Sequence, residues 1–210
     1  YEGRSEPIAY RIFEADLNPE LSGLDENYIT HFTRAFNSAW PTERPIDFYR
    51  DLLESTVYPR RAFDSLLNIV ATERIVASAN HMPRKVPTVS FSALPPAKLI
   101  AMIRWRARYS RMSFEPYGIG IATGVAREMS ILPVVYHDGS DNGDDIDDVY
   151  WRRQSRGRIT DWETEKEYRH LGDFDITGVP KESLILFCHT GKEADLIEQK
   201  TGLRTIPFVK

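Results

Sequence analysis

The sequence predicts an α+β protein, on the evidence of three features. Apolar residues recur at intervals of three and four in residues 45–55 and 60–73, which is the spacing of one helix face. Short runs rich in Val, Ile, Phe and Tyr, bounded by Pro, Gly or Asn, predict strands concentrated from the middle of the chain onward. The 210 residues contain no internal repeat and are enough for one domain with a substantial core. We therefore expect a single domain over residues 28–210, preceded by a peripheral arm over residues 1–27.

The first predicted strand is ENYITHFTR, residues 26–34. Side chains alternate between the two faces of a strand, so this segment predicts two sets of neighbours: Tyr28, Thr30 and Phe32 on one face, Ile29, His31 and Thr33 on the other. Further strands are predicted for RIVAS (74–78), PTVSFSA (87–93), PYGIGIAT (116–123), LPVVYH (132–137), SLILFCHT (183–190) and RTIPFV (204–209), the last as an edge strand.

The predicted helices are PIDFYRDLLES (45–55), RRAFDSLLNIVATE (60–73), PPAKLIAMIRWRARYSRM (95–112), GVAREMSI (124–131) and GKEADLIEQKTG (191–202). The third begins with Pro, as helices often do, and the last ends with Gly. The third also collects cations and aromatic rings that suit a nucleic-acid backbone: Arg104, Trp105, Arg108, Tyr109 and Arg111. The alternative is a solvated basic face with Trp105 and Tyr109 buried.

Composition excludes several classes of protein. The formal net charge of −4 argues against a protein held to nucleic acid by bulk electrostatics, although a local basic patch is compatible with it. Cys188 is the only cysteine, so an intrachain disulfide and a cysteine-based zinc site are both excluded. No apolar run approaches the ~20 residues that cross a bilayer, and the first 23 residues lack the layout of a signal peptide. We expect a cytoplasmic protein without a membrane partner.

Common catalytic motifs are absent from the sequence. None of the five histidines lies in an HExxH arrangement, and there is no GxSxG elbow, Walker loop or GxGxxG fingerprint. Residues 138–148 hold six Asp, which predicts a solvated loop able to contact a basic partner. That loop lacks the glutamate that closes an EF-hand, so calcium binding is the weaker interpretation. We predict no metal site.

The segment DWETEKEYRH, residues 161–170, supports two interpretations. As a strand, it would place on one face the side chains of Glu163, Glu165, Glu167 and Arg169. Such a row of carboxylates is unfavourable when buried unless a cation or a hydrogen-bonded ligand compensates for it. As a helix, Thr160 and Glu163 would form a capping box. Glu165 would then pair with Arg169 one turn later, before a stop at Gly172. Local signals alone favour the helix.

Two groups of motifs resemble known families. THFTR (30–34) followed by AFDSLLNIVATERIVAS (62–78) resembles the opening of the ADP-ribosyltransferase-like fold, shared by DNA-targeting ADP-ribosyltransferase toxins and RNA 2′-phosphotransferases. The later order of VSFSALP, PYGIGIA, PVVYH and EKEYR is similar to uncharacterised families related to abortive phage-infection proteins. The resemblance implies a split, mixed or antiparallel sheet flanked by helices, with NAD as substrate.

The resemblance also implies roles for individual residues near the first strand. His31 would hydrogen-bond a ribose of NAD and so contribute to both binding and catalysis. Thr33 and Arg34 would support the same pocket, with Arg34 neutralising pyrophosphate charge. Tyr117 is a candidate for stacking on nicotinamide, against the alternative that it packs in the core.

The second half of the implied site is a carboxylate held by a strand that carries serines. Ser90 and Ser92 would shape the wall of the pocket and hold the glutamate. Glu167 would bind the 2′-hydroxyl of the nicotinamide ribose and stabilise the oxocarbenium-like charge, with Glu165 as the base that activates the acceptor. The register is ambiguous, because Glu163 with Glu165 satisfies the same spacing.

Two functions of different classes follow from the sequence. The first is an NAD-dependent ADP-ribosyltransferase, or an NAD glycohydrolase if water is the acceptor, acting as a toxin or antiphage effector. Its acceptor would be a nucleic acid or a protein, and an antitoxin or other regulatory partner would accompany it. The alternative is a non-catalytic antitoxin or sensor module on a degenerate transferase scaffold. A nucleic-acid enzyme that uses the arginine-rich segment is a third, weaker hypothesis.

Overall fold

The chain is mixed α+β, with a large mixed sheet flanked by helices. A computed structural model describes residues 10, 12–24, 27–36, 38–41, 43–54, 60–80, 82–103, 105–106, 111–137, 149–156 and 162–210. The strands in this part of the chain are β1 Tyr28–Phe32, β2 Arg74–Ile75, β3 Thr88–Ser92, β4 Trp105–Arg106, β5 Arg111–Met112, β6 Gly118–Ala122, β7 Leu132–Pro133, β8 Val135–His137, β9 Arg153–Ser155, β10 Glu167–Leu171, β11 Phe174–Asp175, β12 Leu184–Thr190 and β13 Thr205–Val209. The helices are α1 Pro45–Glu54, α2 Ala62–Thr72, α3 Pro96–Leu99, α4 Thr123–Glu128 and α5 Gly191–Thr201.

Seven strands form the main sheet, in the order β13-β12-β6-β1-β3-β10-β7. All neighbours are antiparallel except β12 and β13, which are parallel. Strand β1 pairs with β6 along its whole length, whereas it meets β3 at a single pair, Thr30 with Ser92. Strand β3 then pairs with β10 over five residues. Three motif-carrying strands, β1, β3 and β10, are therefore side by side.

Each face of the sheet carries its own apolar core. On one face, α2 and α5 cover a cluster that includes Ile29, Phe91, Ile119 and Leu186. On the other face, Leu99 of α3 and the N-terminal segment cover a cluster that includes Phe32, Phe187, Ile206 and Phe208. The N-terminal segment contributes Leu21 and Leu24, both buried, to this second core. The N-terminal segment therefore contributes two side chains to the core, and the division into an arm over residues 1–27 and a domain over residues 28–210 stays a prediction.

Two predicted helices begin and end at residues whose chemistry suits those positions. At the start of α5, Thr190 and Glu193 form a reciprocal capping box, and Gly202 ends the helix at φ +66°. At the start of α2, the Asp64 carboxylate accepts from the Arg61 backbone N–H at 2.8 Å. Glu73 ends α2 in the left-handed region. These caps satisfy backbone groups that a helix end leaves without partners.

The prediction of a continuous helix over residues 95–112 is wrong beyond the first turns. Helix α3 ends at Leu99, a 3-10 turn covers residues 100–102, and β4 and β5 then form an antiparallel pair. The Ser113 hydroxyl donates to the Met102 carbonyl, which a continuing helix would need as an acceptor for its own backbone. Trp105 is 61% exposed, against the expectation that it is buried. Arg104, Arg108 and Tyr109 lie outside the described residues.

The run LPVVYH divides between two sheets. Strand β7 pairs with β10 at one edge of the main sheet, and β8 pairs in parallel with β9. The segment 149–156, which contains β9, thereby lies beside β10. The aspartate-rich residues 138–148 fall outside the described ranges.

At the other edge of the main sheet, β13 is an edge strand as predicted, with Pro207 limiting further pairing.

Gly118 occupies a position on β6 where any side chain collides with the neighbouring strand. A Cβ atom there would lie 2.7 Å from the His31 carbonyl oxygen. We expect Gly118→Ala to lower the free energy of unfolding by about 1–3 kcal/mol, because β1 must shift to accommodate the methyl group. Gly124→Ala is the matched control, since nothing lies within 4 Å of its Cβ position. Urea denaturation gives the free energy of unfolding of both variants. Equal values would contradict the close approach of Gly118 to β1.

Candidate functional site

Glu167, the first residue of β10, has its carboxylate fixed by three hydrogen bonds. The Ser90 hydroxyl donates to Oε1 at 2.9 Å, as the resemblance implied for a strand that carries serines. Arg169 donates from Nε to Oε1 at 2.9 Å and from Nη2 to Oε2 at 3.1 Å. The Glu167 side chain is 19% exposed, so it is only partly buried.

Arg169 is the buried cation that accompanies this carboxylate. Its side chain is only 2% exposed, and burial of an unpaired guanidinium would be strongly unfavourable. Besides Glu167, it donates from Nη2 to the Gln154 side-chain oxygen at 2.9 Å and from Nη1 to the Trp151 carbonyl at 3.3 Å. Arg169 therefore joins β10 to segment 149–156 as well as holding Glu167.

The carboxylate of Glu167 has capacity for one further donor. An ionised carboxylate offers roughly four acceptor positions on its two oxygens. Within the described part of the chain, Ser90 and Arg169 together use two on Oε1 and one on Oε2. One acceptor position, on Oε2, therefore remains unused by the hydrogen bonds of the described residues.

The residues just before Glu167 form neither the predicted strand nor the predicted helix. Residues 162–165 make a 3-10 turn, and Lys166 follows with φ +45°, so β10 begins only at Glu167. Glu165 is therefore not in one row with Glu167, although Glu167 and Arg169 do share a face as the strand pattern predicted. Thr160 and the side chain of Glu163 lie outside the described residues.

Ser92 supports the backbone around this turn instead of contacting a carboxylate. Its hydroxyl donates to the Glu165 carbonyl at 2.6 Å and accepts from the Leu94 backbone N–H at 3.1 Å. The Ala93 N–H donates to the Lys166 carbonyl at 3.0 Å, just beyond the paired region of β3 and β10. These contacts set where β10 begins and hence where Glu167 projects from the sheet.

His31 projects from the opposite face of the sheet. Thr30 pairs with Ser92, and Ser92 pairs with Glu167, so these three side chains share one face and the residue after Thr30 faces the other way. The His31 ring accordingly packs edge-on against Phe91, with ring centroids 5.7 Å apart. The expectation that the side chains of His31 and Glu167 line one cleft is therefore not met.

His31 touches the candidate site only through the backbone. Its Nδ1 lies 2.8 Å from the Ser90 carbonyl oxygen, which assigns the tautomer that carries hydrogen on Nδ1. Burial lowers the pKa of His31 to about 4, partly opposed by this hydrogen bond and assisted by the nearby Arg34. The imidazole is therefore neutral near pH 7 and holds β3 close to β1 where the two strands separate.

Thr33 and Arg34 connect β1 to helix α2 and the second core. The Thr33 hydroxyl donates to the Ala62 carbonyl at 2.9 Å, at the first residue of α2. The Arg34 carbonyl accepts from the Ser65 hydroxyl at 2.8 Å, and the guanidinium carbon lies 5.7 Å from the centre of the Phe114 ring. The Thr33 hydroxyl has no hydrogen bond to Ser90, Glu167 or Arg169 within the described part of the chain.

Tyr117 packs in the core and not at the candidate site. It is 5% exposed, and the edges of Phe63 and Tyr10 meet it at centroid distances of 6.0 Å. Its hydroxyl donates to Glu193 at 2.9 Å. It directly precedes β6, three strand positions from β10, which corresponds to a lateral separation of roughly 14 Å. The alternative interpretation, that Tyr117 packs, describes this environment.

A second buried carboxylate, Glu115, was not identified from the sequence. It is 2% exposed and accepts from the Tyr10 hydroxyl at 2.7 Å and from the Ala35 backbone N–H at 2.8 Å. Burial and the adjacent carboxylate raise the pKa of Tyr10, so its hydroxyl remains a donor. This contact anchors Tyr10, near the start of the described chain, to the body of the domain.

Removal of the Tyr10 hydroxyl is expected to destabilise the domain. Tyr10→Phe leaves one Glu115 oxygen buried without its donor, which lowers the free energy of unfolding by about 1–3 kcal/mol. Tyr49→Phe removes a hydroxyl from a residue that is 57% exposed and should change stability little. Chemical denaturation of both variants provides the measurement, and a Tyr10→Phe protein as stable as the wild type would show that the contact contributes nothing.

Comparison of the chain with family models, with curated proteins and with solved structures finds no match. The residues described here include no group of three or more His, Cys, Asp or Glu side chains arranged to hold a metal ion. Among the same residues, no helix combines the length and the apolar character needed to span a bilayer. The geometry around Glu167 is therefore the basis on which a function can be proposed.

Proposed function

We propose that the chain is an NAD-consuming enzyme of the ADP-ribosyltransferase type, with Glu167 as its catalytic carboxylate. The observation that carries the proposal is the contact of Ser90 with Glu167 at 2.9 Å, between two adjacent strands that both carry motifs of the resemblance. A split sheet of the ADP-ribosyltransferase kind is part of the proposal, supported by the single residue pair between β1 and β3. The cytoplasm remains the expected compartment.

In the proposed reaction, Glu167 stabilises positive charge as the glycosidic bond of NAD breaks. The free position on Oε2 accepts a hydrogen bond from the 2′-hydroxyl of the nicotinamide ribose. The bond between ribose C1′ and nicotinamide nitrogen breaks with its electron pair leaving on nicotinamide, and the carboxylate faces the oxocarbenium-like ribose. A fixed group aimed at developing charge contributes on the order of 3 kcal/mol. An acceptor oxygen then bonds to C1′ and loses its proton, for which Glu165 is the proposed base.

The proposal differs from the sequence prediction in the pocket around the carboxylate. His31 faces the other side of the sheet, and Thr33 and Tyr117 make structural contacts, so none of them is given a direct contact with NAD. Ser90 and Arg169 take their place as the groups that hold Glu167. The proposal assigns no contact between Arg34 and the pyrophosphate.

The test is release of nicotinamide from NAD by the purified chain. Reactions should contain water alone, single-stranded and double-stranded nucleic acid, or cell lysate as acceptors, with product detected by chromatography. The proposal predicts nicotinamide release above a no-protein control in at least one mixture. Absence of release from all of them, at enzyme concentrations comparable to the NAD concentration, would overturn it.

A non-catalytic binding module is the second candidate. It is favoured by the observation that the protein's own residues already use three of the acceptor positions on Glu167, as in a purely structural ion pair. Expression in cells distinguishes the two candidates. A toxin or antiphage effector that depends on catalysis loses its effect on growth in Glu167→Gln, whereas an antitoxin or sensor module retains its partner and its effect.

A further inference from the structure

We infer that Arg169 is the positioning residue of the Glu167 site, an inference that rests on the proposed function. Arg169 makes no contact with substrate in this scheme. It acts through Glu167, because its Nε and Nη2 groups engage both carboxylate oxygens, while one acceptor position on Oε2 is used by no described residue. A bidentate contact of this kind fixes the orientation of a carboxylate as well as its location.

Arg169 is itself held from the other side. Gln154 and the Trp151 carbonyl accept from Nη2 and Nη1, so four of the five guanidinium N–H groups have partners. These two acceptors belong to segment 149–156, not to the strands that carry the motifs. Segment 149–156 therefore sets the guanidinium, the guanidinium sets Glu167, and Gln154 is assigned to the same positioning unit.

The chain contains a matched control for this unit in a second buried ion pair. Arg60 donates from both terminal nitrogens to the two oxygens of Glu43, each at 2.6 Å. The side chains of Arg60 and Glu43 are 4% and 16% exposed, close to the 2% and 19% of Arg169 and Glu167. The second pair joins the start of α2 to the residues before α1 and has no hydrogen bond to Ser90, Glu167 or Gln154 among the described residues.

The experiment compares Arg169→Lys with Arg60→Lys by steady-state nicotinamide release, each rate corrected for the folded fraction. Both variants keep the charge and lose a bidentate contact, so both should have a lowered melting temperature. We expect Arg169→Lys to lower kcat by about 100-fold with KM changed less than about threefold, because a displaced catalytic group loses orientation and not substrate binding. Arg60→Lys should retain wild-type kcat. Equal kcat in the two variants would overturn the inference and leave Arg169 as a structural residue.

Two further measurements cover the cases in which a lysine variant does not fold or the wild type is inactive. Gln154→Ala keeps the ion pair and should lower kcat by about tenfold, and an unchanged kcat would count against the inference. In protein labelled with ¹⁵N-arginine, the Arg169 Nε–H should exchange with solvent at least about tenfold more slowly than in Glu167→Gln. If the wild type releases no nicotinamide but this protection is present, the proposed function fails while Arg169 still fixes Glu167. Exchange as fast as in Glu167→Gln overturns the inference whatever the activity.

Discussion

Glu167→Gln is expected to reduce nicotinamide release by about 100- to 1,000-fold, the largest effect on activity of any single substitution in this protein. The substitution keeps the shape of the side chain but removes the negative charge that faces the oxocarbenium-like ribose. It also removes the compensating charge from the buried Arg169, and breaking a buried ion pair in this way lowers the free energy of unfolding by about 3–5 kcal/mol. Nicotinamide release and melting temperature should therefore be measured on the same preparations.

Glu43→Gln separates the loss of activity from the loss of stability. It removes a carboxylate from the comparably buried pair with Arg60, and the hydrogen bond from Arg60 holds the pKa of Glu43 below its usual range. We expect a similar loss of stability with full activity per folded molecule. If both variants lose activity only in proportion to the protein that unfolds, Glu167 is a structural residue and the catalytic assignment is wrong.

The second large predicted effect is a loss of folding stability at low pH that depends on His31. Burial lowers the pKa of this imidazole from 6.5 to about 4, so the unfolded chain binds a proton in this range that the folded chain does not. The stability contributed by this shift is fully present above pH 6.5 and is lost as the pH decreases toward 4, with a total contribution from His31 on the order of 3 kcal/mol. Urea denaturation at intervals between pH 7 and pH 4 gives the required slope.

His31→Asn isolates the contribution of the imidazole. Asparagine can donate to the Ser90 carbonyl in place of Nδ1 but does not titrate. The variant should lose less stability than the wild type between pH 6.5 and pH 4. A smaller slope will remain, because burial also lowers the pKa of His189. Parallel curves for the two proteins would show that His31 is not held in its neutral form by the fold.

Local sequence chemistry predicted most of the regular elements. The alternation in β1, the apolar spacing in α1 and α2, and the Gly202 stop of α5 depend on residues close together in the chain, and all of them match the structure. Residues 95–112 did not follow their helical pattern, because Ser113 binds the Met102 carbonyl and residues 105–106 pair with 111–112. A local pattern cannot anticipate such a competing donor.

The candidate site was predictable only in part for a related reason. The strand interpretation of residues 161–170 correctly put Glu167 and Arg169 on one face, but the left-handed Lys166 separates Glu165 from that row. The register between β3 and β10 decides which β3 side chains lie on the same face as Glu167. A shift of one residue would exchange every side chain between faces. Gln154 could not be foreseen at all, since no spacing links it to Arg169.

The most direct test of the account is a crystal structure of the chain with a non-hydrolysable NAD analogue. We predict that the nicotinamide ribose binds on the face of the sheet that carries Ser90 and Glu167, with its 2′-hydroxyl within about 2.5–3.0 Å of Glu167 Oε2. The contacts of Arg169 with Gln154 and Glu167 should be retained in that complex. An analogue bound on the His31 face, or no analogue bound at saturating concentration, would contradict the assignment of Glu167 as the catalytic carboxylate.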